Sequence, residues 1–131
     1  MPLRPAPEDR SPADLLSFGV VNLDKPPGPS AHQVAGWVRD MTGQERAAHA
    51  GTLDPKVTGC LPLLLGDATR LAQVFADARK EYVTVLELHG PAPADFESVV
   101  AEFEGPIYQK PPRKSAVKRE LRTREGYRLE V

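Results

Sequence analysis

Cysteine is nearly missing from this 131-residue chain, which carries only Cys60. One thiol cannot form an internal disulfide, and it cannot supply the clustered thiolates that hold zinc or an iron–sulfur group. The three histidines, His32, His49 and His89, also lack the spacing of metal ligands. We therefore expect no metal and no other cofactor, and a reducing compartment such as the cytoplasm.

Long apolar runs are missing as well. No stretch reaches the roughly 18 apolar residues that predict a membrane-spanning helix. Residues 1–17 are rich in proline and have no apolar run of the kind found in a secretory signal, so they are predicted to form an irregular arm. A composition of 40% hydrophobic and 27% charged residues fits one globular domain at most, with residues 18–131 as its folded part.

Positive charge is scarce except in one segment. The net charge is −1, but residues 110–128 hold eight of the 17 Lys and Arg residues and two of the 18 Asp and Glu residues. A basic segment on an acidic body favours a polyanionic partner such as a nucleic acid. A solvated charged strand or loop would have the same composition, so charge alone leaves both interpretations open.

The hydrophobic pattern predicts an α+β fold, a mixed β-sheet with flanking helices. Ser30 and Gln33 have the spacing of a capping box. The helix that follows is predicted to have Val34, Trp37, Val38 and Met41 on its apolar face and to end at Gly43. Residues 46–58 are predicted to be a loop. Strands are predicted over 19–24, 61–65, 82–88, 107–109 and 127–131, and helices over about 31–42, 67–78 and 94–104.

Four sequence blocks stand out. They are NLDKPPG at 22–28, HAGTLDPKVTG at 49–59, KEY at 80–82 and PPRKSAVK at 111–118. A string such as GTLDP is also typical of an ordinary tight turn, so Asp54 alone leaves both a turn and catalysis open. Taken together and in this order, the blocks resemble the TruB/dyskerin family of RNA pseudouridine synthases. The last block resembles its archaeal and eukaryotic branch, which supplies the catalytic subunit of box H/ACA ribonucleoproteins.

This resemblance implies an isomerase that converts uridine to pseudouridine in rRNA or tRNA. The reaction breaks the bond from ribose C1′ to N1 of uracil and rejoins the base through C5. One carboxylate can assist at C1′, because the leaving base stays in the pocket. The resemblance assigns that role to Asp54 and places Tyr82 against the flipped uracil. Whether Asp54 acts as nucleophile or base stays open, and we expect it to be ionised beside cationic or hydrogen-bonding partners.

The resemblance also implies substrate-binding positions. These are Lys25, His49, Lys80, Arg113, Lys114 and Lys118, of which Lys25 is expected mainly to support the catalytic loop. A strand tyrosine in the core is the plain alternative for Tyr82. A loop histidine that caps a carbonyl is the alternative for His49. Cys60 is predicted to be a small buried hydrophobic residue.

The resemblance covers residues 18–131, with a substrate RNA, a guide RNA and small H/ACA proteins as implied partners and no membrane. Two family parts have no counterpart here: a later Gly-Thr-Tyr-Ile/Val-Arg motif and the C-terminal PUA domain. The implied fold is therefore a pseudouridine synthase fold that is incomplete at the C-terminus. A catalytically incomplete RNA-binding fragment and an unrelated α+β domain remain the alternatives.

Overall fold

The structure is a computed structural model that describes residues 4–111, 113 and 120–131. Its contacts divide the chain into two units, Met1–Tyr82 and Val83–Val131. The first unit contains α1 (Pro12–Ser17), β1 (Phe18–Lys25), α2 (Ala31–Thr42), β2 (Ala47–His49), β3 (Gly59–Gly66) and α3 (Ala72–Ala76), with 3₁₀ turns at Pro7–Asp9 and Asp67–Leu71. The second contains α4 (Phe96–Ala101), β4 (Gly105–Gln109) and β5 (Arg122–Gly126).

Strand β3 is the centre of the first unit. Strands β1 and β2 pair with it on opposite edges, both antiparallel. Leu61, Leu63 and Leu65 pack with helix α2 on one side, while Leu64 packs with Ala68 on the other. Covering of both faces explains why this strand is a continuous apolar run rather than an alternating one. The buried strand predicted at 61–65 is confirmed.

Helix α2 begins and ends as predicted. The Ser30 hydroxyl accepts from the Gln33 amide, and the Gln33 side chain accepts from the Ser30 amide, which completes the capping box. Gly43 ends the helix with a left-handed φ of 67°. The buried stripe consists of Ala31, Val34, Ala35 and Val38, the spacing that one helix face requires. Trp37 and Met41, at 52% and 77% exposure, lie outside this stripe.

Three predictions in the first unit are wrong in detail. The arm at 1–17 is not irregular throughout, because Ser11 accepts from the Asp14 amide and caps α1, which begins with a proline. The loop at 46–58 contains β2, whose small residues pair with Leu63–Leu65. The helix at 67–78 is broken into a 3₁₀ turn and the five-residue α3.

In the second unit, two predicted strands are wrong. Residues 82–88 form no strand, and Val83 and Val85 are both 96% exposed. Strand propensity is expressed only where a partner strand is available, and none pairs with this segment in the described part of the chain. The final strand is β5 at Arg122–Gly126, paired with β4, instead of 127–131. Helix α4 is confirmed but shorter than predicted.

Burial differs sharply along the chain. No residue of α4, β4 or β5 is buried, whereas the first unit contains both apolar clusters of the described residues. A search of those residues also finds no helix that is both long and apolar enough to cross a bilayer.

Candidate active site

Asp54 lies in a tight turn on the segment that connects β2 to β3. The Val57 amide donates to the Asp54 carbonyl at 2.9 Å, which closes the turn. Proline fixes the backbone at position 55, directly after the aspartate. The Asp54 side chain is exposed, so this turn presents a carboxylate to solvent.

Lys25 anchors this turn from inside the protein. Its ammonium donates to the carbonyls of Pro26 and Pro29 at 2.9 Å each and of Pro55 at 3.0 Å. The side chain is fully buried. An ammonium has three N–H donors, so all of them are used, and these charge-assisted bonds offset the cost of removing the charge from water.

A backbone contact reinforces the same connection. The Gly28 amide donates to the Pro55 carbonyl at 2.8 Å, so that oxygen accepts two hydrogen bonds from the first block. The NLDKPPG block and the Asp54 block therefore form one structural unit. The resemblance implied that Lys25 supports the loop, but nothing in the sequence indicated which carbonyls Lys25 binds.

His49 shapes the beginning of the Asp54 segment. Its Nδ1 lies 2.6 Å from the Gly51 carbonyl. Because a carbonyl only accepts, Nδ1 carries a proton, and Nε2 is the acceptor of the neutral ring. This is the carbonyl-capping contact that the sequence left open as an alternative. His49 also lines a groove of about 480 Å³ beside helix α2, which the sequence did not reveal.

The Asp54 carboxylate has no partner within the described residues. No hydrogen bond or ion pair involves its side chain there, so the expected cationic or hydrogen-bonding partner is not among the described residues. The physical reason is the position of Asp54 at the tip of an exposed turn, where Lys25 reaches the neighbouring carbonyl but not the carboxylate.

Tyr82 and Lys80 occupy the exposed segment after α3. The Lys80 ammonium donates to the carbonyls of Phe75 and Ala76, so it caps the last turn of that helix. Tyr82 is 60% exposed and is not a core residue. Across the described ranges, no hydrogen bond joins its side chain to Asp54.

The remaining candidates are spread over the basic segment and β3. Arg113 is exposed in the second unit, and Lys114 and Lys118 lie outside the described residues. Cys60 was predicted to be buried, and this is wrong: its thiol is exposed and donates to the Asn22 side chain at 2.8 Å. Cys60 is on the face of β3 opposite to Leu61, near the exposed start of the strand, whereas the buried Leu64 lies farther along the same face. Among the described residues, no group of three His, Cys, Asp or Glu could hold a metal ion.

Two protein-family models match parts of the chain. Residues 39–93 match the model described as TruB family pseudouridylate synthase (N terminal domain), and residues 5–35 match the DKCLD (NUC011) domain. The chain belongs to the TruB/dyskerin family. The predicted family is thereby confirmed, and the second match begins well before the expected boundary at residue 18.

Curated TruB/dyskerin relatives cover the whole chain. It is 71% identical to the probable tRNA pseudouridine synthase B of Haloarcula marismortui, over 100% of this chain and 42% of that protein. It is 51% identical to the protein of the same name from Pyrococcus furiosus, over 95% of this chain and 37% of the relative. The chain thus spans less than half the length of these relatives.

Solved structures of the family show the same fold. The chain is similar to a Cbf5–Nop10–Gar1 complex, with a TM-score of 0.73 and 45% identity over 95% of this chain and 39% of the matched one. It is also similar to an H/ACA RNP bound to a substrate RNA containing 2′-deoxyuridine, with a TM-score of 0.79 and 46% identity over 95% and 38%. The predicted α+β fold class of the pseudouridine synthases is confirmed.

Proposed function

We propose that this chain is the Asp54-bearing part of an RNA pseudouridine synthase that acts in a guide-directed H/ACA ribonucleoprotein. The observation that carries the proposal is the exposed Asp54 turn, anchored on the buried Lys25 in a member of the TruB/dyskerin family. The names of the relatives and the H/ACA assemblies among the similar structures support it.

In the proposed reaction, the Asp54 carboxylate assists cleavage of the C1′–N1 bond of a flipped uridine. Uracil then rotates and bonds to C1′ through C5; C5 releases its proton to water, and N1, now free of the sugar, takes up a proton. Atoms and charge balance without a cofactor, since the product is an isomer of the substrate. The proposed partners are a substrate tRNA or rRNA, a guide RNA and small H/ACA proteins, in the cytoplasm. Tyr82 is proposed to stack on the uracil, with His49, Lys80, Arg113, Lys114 and Lys118 at the RNA.

The test replaces the carboxylate in the full-length protein, assembled with guide RNA and the small proteins. Asp54→Asn and Asp54→Ala should each abolish tritium release from C5-labelled uridine in the substrate RNA, because neither side chain can assist at C1′. Glu45→Gln makes the same charge change at an exposed neighbouring position and should retain activity. Substantial tritium release by both Asp54 variants would refute the assignment.

A second candidate function is RNA binding without catalysis by the 131-residue chain. The observation that favours it is the basic segment at 110–128, which holds eight of the 17 Lys and Arg residues. This candidate predicts salt-sensitive RNA binding by the purified chain, since its basic segment would displace counterions. Turnover of labelled uridine by that chain would rule it out.

A further inference from the structure

A groove between α2 and β2 lies beside the segment that leads to Asp54. We call it the α2–β2 groove; its polar and aromatic lining consists of His32, Gln33, Trp37, Arg39, Asp40 and His49. Its volume of about 480 Å³ falls in the range of roughly 300–1,000 Å³ that small-ligand sites occupy. His49 belongs both to this groove and to the sequence block that carries Asp54. The groove therefore adjoins the candidate active site through one residue.

Trp37 gives the groove an aromatic surface. It is the single tryptophan of the chain, and 52% of it is exposed although it belongs to the helix that covers the sheet. Single exposed apolar residues are common on proteins and carry no argument alone. Here the indole lies among hydrogen-bonding side chains in a concave surface, which is the arrangement that binds a planar, polar-edged ring.

The charges of the groove disfavour a strong phosphate site. The Arg39 guanidinium donates from Nε and Nη2 to the same Asp40 oxygen, at 3.0 and 2.8 Å. Arg39 is the one Arg or Lys among the residues that line the groove, and its charge is paired. The polar groups that remain for a ligand include His32, whose side chain makes no hydrogen bond within the described residues, and Nε2 of His49. Such a lining favours a nucleobase over a phosphate.

We propose that the α2–β2 groove binds one unpaired nucleotide of the RNA that carries the target uridine, with its base stacked on Trp37. This proposal rests on the proposed function, because it takes RNA as the partner. His49 connects the groove to the Asp54 turn, so the bound nucleotide is one close in sequence to the target. The site holds the RNA through stacking and base-edge hydrogen bonds, and the basic segment contributes the phosphate contacts.

The test measures equilibrium binding of the substrate RNA to the full-length protein at several salt concentrations. Trp37→Ala should weaken binding by about tenfold, the scale on which a lost base–aromatic stack acts. Trp37→Phe keeps an aromatic face and should restore most of the affinity. Since neither Trp37 nor its replacements carry a charge, the slope of log K against log salt should be the same in all variants, unlike the effect of removing a phosphate contact.

Met41→Ala is the matched control, because Met41 is on the same helix, 77% exposed, and not part of the groove. It should change affinity by no more than about twofold, as for other surface substitutions. Fluorescence provides a second readout, which does not require the alanine variant to fold. The Trp37 emission is the part of the wild-type signal that Trp37→Phe lacks, and RNA should quench it.

Equal affinities for Trp37→Ala and Met41→Ala, without quenching, would overturn the proposal and indicate that protein covers the groove in the full-length chain. That result would leave pseudouridine formation intact, so it differs from failure of the proposed function. Asp54→Ala further separates the groove proposal from the proposed function, because this variant should abolish product formation while retaining the affinity for RNA.

Discussion

At the residue scale, Lys25 determines the position of the Asp54 turn. Removing its ammonium would take the donor from the carbonyls of Pro26 and Pro29 and would release the Pro55 carbonyl from one of its two bonds. A hydrogen bond to a charged group contributes about 1.5–3 kcal/mol, less where water can replace the donor. We expect Lys25→Met to lower the free energy of unfolding by about 2–4 kcal/mol, measured by urea denaturation of the full-length protein.

Lys56→Met is the control for this prediction. Lys56 is an exposed lysine of the same loop, so its replacement should change the free energy of unfolding by no more than about 0.5 kcal/mol. If the two variants are equally stable, the three hydrogen bonds of Lys25 contribute nothing net, and the turn is held by its backbone contacts alone.

The sequence predicted some residues of the candidate site and hid others. Asp54 and Lys25 were predicted because they belong to ordered blocks that resemble those of a known family. The acceptors of Lys25 were not, since every residue has a carbonyl and only the folded backbone determines which of them converge. Trp37 was assigned to the apolar face of α2, whereas the alanines at 31 and 35 fill that face. Hydrophobicity alone does not distinguish a core residue from an aromatic residue in a groove.

At the element scale, the elements that are determined by residues close together in the sequence could be predicted. The capping box of α2 and the buried β3 follow from local chemistry and from an apolar run. The strand predicted at 82–88 has equally suitable residues, but strand pairing is decided by a partner distant in the sequence. Strand β2 was predicted as part of a loop because its two alanines have little strand propensity. It is a strand because it pairs with β3.

The junction of β3 with the following 3₁₀ turn depends on Gly66. Its φ is 57° and ψ −127°, and a Cβ added there would lie 2.1 Å from the Ser17 carbonyl oxygen. Backbone strain and the clash with main chain should together cost about 3 kcal/mol or more in Gly66→Ala. Urea denaturation of the full-length protein measures this loss.

Gly43→Ala separates strain from crowding. Gly43 is also left-handed, with φ 67°, but nothing lies within 4 Å of an added Cβ. It should cost only about 1–2 kcal/mol, the penalty of a left-handed residue alone. A Gly66→Ala variant no less stable than Gly43→Ala would show that Ser17 moves aside without cost.

At the scale of the whole molecule, both apolar clusters of the described residues belong to the first unit. The apolar clusters lie between residues 16 and 75, and residues 76–95 are all exposed. Composition predicted one domain because it averages over the chain and cannot show where the apolar residues meet. The segment between α3 and α4 has no helix or strand in the described residues.

This segment should be the first internal site of proteolysis between α1 and α4. Trypsin needs an extended, accessible backbone, which the residues after α3 provide and helix α2 does not. In the 131-residue chain, cleavage after Arg79 or Lys80 should be at least about tenfold faster than cleavage after Arg39, followed by mass spectrometry. Equal rates would mean that α2 opens as readily as the exposed segment.

The hydrogen bond from Lys25 to the Pro55 carbonyl joins residues 30 positions apart. Such a contact closes a long loop, which lowers the conformational entropy of the chain. The pairing of β1 with β3 offsets this entropy loss, so the contact forms only when these strands come together. The register brings Lys25 opposite Gly59, the first residue of β3. During folding, the Asp54 turn is therefore shaped in the same step that completes this pair of strands. A nascent chain has no preformed site, and synthesis must pass β3 before the carboxylate is presented.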